Sequence, residues 1–302
     1  MTRRSLSLLL AIIAMLLFAT PAVHAEQPAL TLTDMVGRDI TLSGPADKVV
    51  ALMPGDCEIL YAIGAGDTLV GRGEWCNYPE EVLALPSVES GYQLNIEQVV
   101  SLAPEVIIMT KMGHSEEHIQ AFEKAGIQVF VSDAQSIEDT YTAIGLLGAL
   151  TGHGDEAEKI VQSMKDEFAA LSAAAAEHEG VSVYLETTEL QFGLWPAPKG
   201  SFMHEIAEML NMRNVFDDLE GWQEVSEEEV IKRDADFIIT TNMYAVDGSL
   251  AVDEVMARQG WQTMSAVKNG KVFNITDTII RPAPRLVDAA KDLYAIVYGE
   301  TE

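Results

Sequence analysis

Two glutamates, Glu97 and Glu228, stand at equivalent places in two similar stretches of the chain. Residues 94–110 align without a gap on residues 225–241, and both stretches predict a helix, a turn and a buried strand. Each glutamate falls in a first helical turn, where the helix dipole favours an acidic side chain in any protein. Because the positions match, we also expect these carboxylates to meet basic residues of a two-fold partner. Each turn has a predicted N-cap and a capping-box partner: Asn95 with Gln98, and Ser226 with Glu229.

A second set of residues that could bind a ligand follows the predicted strands. In open α/β sheets, small ligands bind at the loops beyond the carboxyl ends of the strands. Aromatic and Met side chains there suit a ligand with broad apolar faces, and basic side chains can neutralise an anionic group. Taken singly, each residue is also typical of packing or of a solvated charge. The candidate ligand-binding residues are Trp75, Tyr78, Tyr92, Lys111, Met112, Trp195, Phe202, Trp222, Met243, Tyr244 and Arg281.

The elements that must position these residues alternate between short β-branched runs and longer amphipathic stretches. This alternation predicts largely parallel strands. Residues 155–179 contain no Pro or Gly and predict one long helix, which can bridge two lobes. The predicted fold class is therefore α/β, with two similar lobes of mainly parallel sheet joined by one long rigid helix and a ligand cleft between the lobes. The predicted domains are an N-terminal lobe over 26–153, a linking helix over 154–180 and a C-terminal lobe over 181–302.

The first 25 residues have the three-part build of a cleavable signal peptide, with a buried N-terminal helix as the alternative. Arg3 and Arg4 precede an apolar run over residues 6–19, and small residues stand at Val23 and Ala25. The run is too short for a membrane span, and no cysteine follows it to carry a lipid. We therefore expect cleavage after Ala25 and a soluble periplasmic protein.

The formal net charge of −28 excludes one class of partner. Nucleic-acid binding needs clustered Lys and Arg that displace counterions from phosphates. With 47 acidic residues against 19 basic ones, we expect no nucleic-acid partner.

The chain has only two cysteines, Cys57 and Cys76. In an exported protein, a disulfide between them would close a loop of about 20 residues and contribute roughly 3 kcal/mol. Two unpaired thiols are the alternative, since geometry decides the pairing.

The sequence resembles a known family, the periplasmic binding proteins for ferric siderophores, haem and cobalamin. The resemblance runs from about residue 49 to residue 300 and departs from the family pattern at Cys57 and Ala283. Its carriers are PGDCEILYAIGAG at 54–66, VG at 70–71, CNYP at 76–79, NIE at 95–97, GSF at 200–202, WQEVS at 222–226, WQTMSAVKNGKV at 261–272 and RPAPR at 281–285.

The resemblance implies two α/β lobes and a partner, the permease dimer of an ABC importer in the inner membrane. It implies that Glu97 and Glu228 dock into permease arginines. It also implies that a monomer captures an iron chelate of the ferric siderophore type, with a corrinoid (cobalamin) and haem as the alternatives, in that order. The chelated metal, iron or cobalt, then arrives with the ligand. A different class of function on the same scaffold is a docking protein that senses ligand for a membrane signalling partner.

An enzyme is the main competing class, but the sequence contains no nucleophile elbow, metalloprotease helix, phosphate loop or paired-cysteine metal motif. We therefore expect no catalytic residues, no intrinsic cofactor and no resident metal. His114 and His204 are candidate axial ligands of haem iron, with Met112, Met203 or a tyrosine as the second ligand. No spacing enforces that ligation, and a loop histidine is commonly just solvated.

Overall fold

The computed structural model describes residues 29–90, 94–111, 116–188, 190–241 and 249–299, and the predicted signal peptide lies outside these residues. The chain enters through a hairpin in which β1 (Leu30–Thr33) pairs antiparallel with β2 (Asp39–Leu42). Asp34 closes the hairpin turn because its carboxylate accepts hydrogen bonds from the backbone N–H groups of Val36 and Arg38.

A five-stranded parallel sheet follows, and its central runs, residues 49–51 and 106–109, are buried on both faces. Its spatial order is β5-β4-β3-β6-β7. The strands are β3 (Val49–Ala51), β4 (Leu69–Gly73), β5 (Ser87–Val88), β6 (Val106–Met109) and β7 (Gln128–Val131), and the helices between them are α1 (Pro54–Ala62), α2 (Ile96–Ser101) and α3 (Glu116–Lys124).

Two consecutive helices, α4 (Ile137–Thr151) and α5 (Gly154–Ala175), carry the chain away from this sheet. Gly152 separates them in the left-handed conformation that favours glycine at a helix end. Helix α5 is the predicted long helix, but it ends at Ala175 and not at residue 179. After Ala175 the backbone tightens into a turn, in which Glu177 N and His178 N donate to the carbonyls three residues before them. The His178 ring then stacks on Tyr298 at 4.4 Å between centroids.

The second sheet has four parallel strands in the order β11-β10-β8-β9. The strands are β8 (Val181–Glu186), β9 (Met212–Asn214), β10 (Phe237–Thr240) and β11 (Val272–Asn274), and the helices are α6 (Phe202–Met209), α7 (Glu227–Arg233), α8 (Ser249–Ala257), α9 (Ser265–Lys268) and α10 (Leu286–Tyr298). The largest hydrophobic core cluster runs through α4, α5 and α10 and reaches both sheets. Helix α5 is therefore packed against the core along its length and is not an isolated linker between the lobes.

The internal repeat is present in three dimensions. Helix α2 and strand β6 correspond to α7 and β10 with the same displacement along the chain, as the alignment of 94–110 on 225–241 predicts. The two-lobed α/β fold is thus confirmed, whereas the domain boundaries stay a prediction. The described part of the chain contains no helix with both the length and the apolar character that crossing a membrane requires.

Candidate functional site

The carboxyl edges of the two sheets meet, and this meeting point defines the candidate cleft. Glu58 lies on α1, directly after β3, and Arg281 follows β11. Arg281 Nη1 donates to Glu58 Oε1 at 3.1 Å and to Asn77 Oδ1 at 3.0 Å. The backbones also approach closely, since a Cβ at Gly55 would lie 2.9 Å from the carbonyl oxygen of Pro282. Only glycine permits this approach of α1 to the C-terminal lobe.

Glu58 is the centre of a buried ion cluster at this point. Its carboxylate is 3% exposed and also accepts from Arg285, with Nε to Oε2 at 2.9 Å and Nη2 to Oε1 at 3.2 Å. Arg281 also bonds Asp277, with Nη2 to Oδ2 at 2.5 Å. Burial disfavours the Arg281 charge, but Asp277 and Glu58 outweigh it and raise the pKa of Arg281 above its usual value. Arg281 therefore lies at the predicted edge as an interlobe bridge, not as an unpaired cation.

One aromatic loop, residues 73–78, extends from the carboxyl end of β4. Gly73 is its first residue, and only glycine fits there because a Cβ would lie 2.0 Å from the carbonyl oxygen of Leu52. Arg72 Nη1 donates to the carbonyls of Gly73, Glu74 and Cys76 at 3.1, 3.3 and 3.0 Å and so shapes the turn. This turn presents Trp75, 59% exposed, and Tyr78, 43% exposed. The Arg285 guanidinium lies 3.7 Å from the Tyr78 ring centroid.

The C-terminal lobe presents aromatic side chains from two loops at its own carboxyl edge. Phe192 follows β8 and is 58% exposed, and Trp222 precedes α7 and is 48% exposed. The two loops are joined by a bridge between Leu194 and Val225. Trp195 lies in the first loop and its indole Nε1 donates to the Phe192 carbonyl at 3.1 Å.

Other predicted ligand residues have different positions. Phe202 begins α6 and packs against the core, so its aromatic ring is part of the packing between the sheet and its helices. Lys111 is exposed just beyond the carboxyl end of β6. Predicted residues outside the described part of the chain are Tyr92, Met112, His114, Met243 and Tyr244.

His204 is buried on α6, where its ring nitrogens lie 3.2 Å from Glu208 Oε2 and 3.4 Å from Asn214 Nδ2. Met203 beside it is 1% exposed. Burial removes both as axial ligands for a haem in the cleft. Within the described residues, no group of three or more His, Cys, Asp or Glu is arranged to hold a metal ion.

A second buried ion pair lies under the carboxyl edge of the C-terminal sheet. Glu186 ends β8 and accepts two bonds from Arg258, with Nη1 to Oε2 at 2.7 Å and Nη2 to Oε1 at 2.8 Å. Burial raises the pKa of Glu186, and the bonds from Arg258 oppose this. The Arg258 guanidinium also lies 4.4 Å from the Trp261 ring, whose Nε1 donates to Glu227 Oε2 at 2.8 Å. This chain of contacts connects the end of β8 with the first turn of α7.

Glu97 and Glu228 are both exposed in the first turns of α2 and α7. The pKa of Glu228 is lowered because its carboxylate accepts from its own backbone N–H and from the Ser226 hydroxyl. The predicted N-caps are confirmed: Asn95 accepts from Gln98 N at 3.1 Å and Ser226 from Glu229 N at 3.3 Å. The second half of each predicted capping box, a bond from the N-cap backbone N–H to the side chain three residues later, is wrong. Gln98 Oε1 accepts instead from Glu89 N, and Glu229 Oε1 accepts from Arg233 Nε.

Cys57 and Cys76 are both free thiols with 0% exposure.

Asp56 beside Cys57 is also buried, and burial raises the pKa of its carboxyl to about 7, against a smaller lowering by the Ser132 hydroxyl. Its Oδ2 has no hydrogen-bond partner among the described residues. A carboxyl of this kind is neutral in mildly acidic solution.

The family described as periplasmic binding protein matches residues 49–278. The chain belongs to this periplasmic binding protein family. The family predicted from the sequence is therefore confirmed.

Three proteins show what this periplasmic binding protein is similar to. It is 32% identical over 279 residues to the uncharacterized ABC transporter substrate-binding lipoprotein YvrC of Bacillus subtilis (strain 168), with 90% of this chain and 86% of that protein covered. It is 29% identical over 252 residues to the vitamin B12-binding protein of Salmonella typhimurium (strain LT2), with 82% and 89% covered. A solved structure, a possible iron-binding (periplasmic solute-binding) protein from Staphylococcus epidermidis ATCC 12228, has a TM-score of 0.74 at 28% identity, with 84% and 99% covered.

Sequence reasoning missed three features of this periplasmic binding protein. Phe192 was overlooked beside Trp195, although its place after a predicted strand was a usable signal. Asp56 reads as an ordinary first-turn acid, and nothing in the sequence announces its burial. The Glu58 pairing with Arg281 and Arg285 joins positions more than 200 residues apart, so no local pattern could reveal it.

Proposed function

We propose that this periplasmic binding protein is the substrate-binding component of an ABC importer and that its ligand is a corrinoid. The importer role is supported by the 32% identity, over 90% of the chain, to an ABC transporter substrate-binding lipoprotein. The ligand class is supported by one observation above others. Exposed aromatic side chains stand on both carboxyl edges, with Trp75 and Tyr78 on one lobe and Phe192 and Trp222 on the other.

Large aromatic surfaces on two facing edges suit a broad ligand with two apolar faces. Each aromatic side chain buries 150–250 Å² when covered, and most of the binding energy then comes from apolar contact. A corrin macrocycle has this shape and needs few charged partners around its rim. The vitamin B12-binding protein of Salmonella typhimurium, 29% identical to this chain, agrees with that ligand class.

We propose an order of ligands different from that expected from the sequence, which placed a ferric siderophore first. An anionic chelate needs cations that are not already neutralised. Arg281 is bonded to Glu58 and Asp277, which leaves the exposed Lys111 as the remaining predicted cation. Haem is disfavoured further because His204 is buried against Glu208. A corrinoid therefore comes first, and a ferric siderophore is the alternative.

Isothermal titration of the purified protein with cyanocobalamin, a ferric catecholate, a ferric hydroxamate and hemin tests this ligand class. We expect one-to-one binding of cyanocobalamin alone. Substitutions Trp75→Ala and Trp222→Ala should each weaken it by roughly 10- to 100-fold, as for central aromatic contacts in interfaces. Tyr298→Leu is the control, because this ring lies near Leu210 at the amino edge of the second sheet. Binding of either ferric siderophore without cyanocobalamin would refute the corrinoid and restore the siderophore.

Delivery follows from the matched positions of Glu97 and Glu228, one on each lobe. Both carboxylates are exposed, and neither lies in the described ion pairs, so both are available to arginines of a permease. Charge complementarity of this kind orients a complex more than it tightens it. We propose that these two glutamates seat the binding protein on a permease dimer, one glutamate on each subunit.

A further inference from the structure

Cys57 and Cys76 lie side by side although they come from different elements. Cys57 is in the first turns of α1, and Cys76 is in the aromatic loop, residues 73–78. Both thiols point to one acceptor, the carbonyl oxygen of Ala51, with Sγ to O distances of 3.7 Å for Cys57 and 3.8 Å for Cys76. The two thiols are also within hydrogen-bonding reach of each other. They are the only cysteines in the sequence, so each has one intramolecular partner.

The folded protein protects this pair from reagents. Both side chains are 0% exposed. The hydrogen bond with Cys76 and then burial raise the pKa of Cys57 well above its usual value. Because the thiolate is the reactive form, the folded dithiol is a poor nucleophile. Oxidation of the pair therefore belongs to the folding chain, before α1 closes over the sulfurs.

We propose that Cys57 and Cys76 form a disulfide in the exported protein and that this bond clamps the aromatic loop to the start of α1. The oxidant is a disulfide of the extracytoplasmic compartment that reacts by thiol–disulfide exchange. Both cysteines lose their thiol protons, one S–S bond forms between them, and the two electrons reduce the exchanging disulfide to two thiols. The proposal rests on the extracytoplasmic location in the proposed function and is independent of the ligand.

The clamp would add a covalent bond to a loop that is held by side-chain contacts. Cys76 stands between Trp75 and Tyr78, the exposed aromatic residues of the first lobe. The other contacts of the loop are non-covalent: Arg72 bonds three of its carbonyls, Glu74 Oε1 accepts from Ser90 N, Asn77 accepts from Arg281, and Arg285 lies over the Tyr78 ring. Cys57 is covalently next to Glu58, which accepts a second bond from the same Arg281 guanidinium. A covalent bond from Cys76 to Cys57 therefore joins the aromatic loop to the same turn that holds the second lobe.

The test compares one sequence made in two compartments, which avoids any mutation. Protein exported to an oxidising periplasm and protein kept in a reducing cytoplasm are each unfolded in iodoacetamide without reductant, and their intact masses are measured. We expect the exported protein to take up no carbamidomethyl group until it is reduced, and the cytoplasmic protein to take up two. Two groups on the unreduced exported protein, or a mixed disulfide with a small thiol, would overturn the proposal.

The clamp itself has a separate readout. The melting temperature of the oxidised protein should exceed that of the reduced protein by roughly 6–12 °C, from the usual effect of closing a loop of this length. Hydrogen–deuterium exchange should be slower in the oxidised protein for the peptide that contains residues 73–78. It should be unchanged for the hairpin of β1 and β2. In a variant with Cys57→Ala and Cys76→Ala, hydrogen–deuterium exchange at residues 73–78 should match that of the reduced protein, whichever compartment the variant is made in. Equal exchange at 73–78 in the two forms would refute the clamp even if the disulfide is present.

Discussion

Removal of the Glu58 charge should destabilise the protein more than removal of any exposed carboxylate. Glu58 is 3% exposed and accepts hydrogen bonds from Arg281 and Arg285. Glu58→Gln keeps the shape of the side chain and removes the charge. Breaking a buried ion pair on one side costs about 3–5 kcal/mol, because the remaining charge is left without compensation. The lower end applies, since Arg281 keeps Asp277 and the Arg285 side chain is 27% exposed to water.

A loss of about 3 kcal/mol lowers the melting temperature of a protein of this size by roughly 6–12 °C. Calorimetry at pH 7 measures this shift, and a urea titration should give a lower midpoint with an unchanged slope. The matched control is Glu167→Gln. Glu167 Oε2 lies 2.5 Å from Lys291 Nζ, but the two side chains are 40% and 49% exposed. An exposed pair contributes about 0–1 kcal/mol. Equal shifts for the two variants would show that burial does not determine the strength of the Glu58 cluster.

The remaining predictions concern the C-terminal lobe, the buried acid and docking. Arg258→Leu should cost about 3–5 kcal/mol by urea titration, since it leaves the Glu186 carboxylate, 2% exposed, without its partner; a cost below 1 kcal/mol would contradict the buried pair. Burial raises the pKa of Asp56 from 3.8 to about 7, so its stabilising contribution is complete below pH 4 and is lost as the pH rises through 7. Asp56→Asn does not titrate and should gain roughly 4 kcal/mol over the wild type between pH 4 and pH 8 in urea titrations; a difference independent of pH would mean that the carboxyl is hydrated. Glu97→Lys with Glu228→Lys should abolish uptake in permease proteoliposomes and leave the ligand Kd unchanged; a weakened Kd would count against a docking role.

Local patterns were sufficient for much of the fold. The N-caps Asn95 and Ser226, the buried strands β6 and β10 and the long helix α5 all follow from neighbouring residues. Capping bonds and strand burial depend on residues a few positions apart, so the sequence alone determined them. The matched positions of Glu97 and Glu228 were readable for the same reason, because an internal repeat is visible without a structure.

Tertiary structure decided which side chains remain available at the site. From the sequence, Arg281 is a candidate ligand-binding cation, but in the structure its guanidinium is paired with Glu58 of the other lobe. From the sequence, Phe202 is a candidate cleft aromatic, but in the structure it lies on α6 and packs against the core. Cys57 and Cys76 become neighbours only when α1 and the loop after β4 meet at the Ala51 carbonyl. Availability depends on contacts between residues far apart in the chain, and the sequence around each residue carries no record of those contacts.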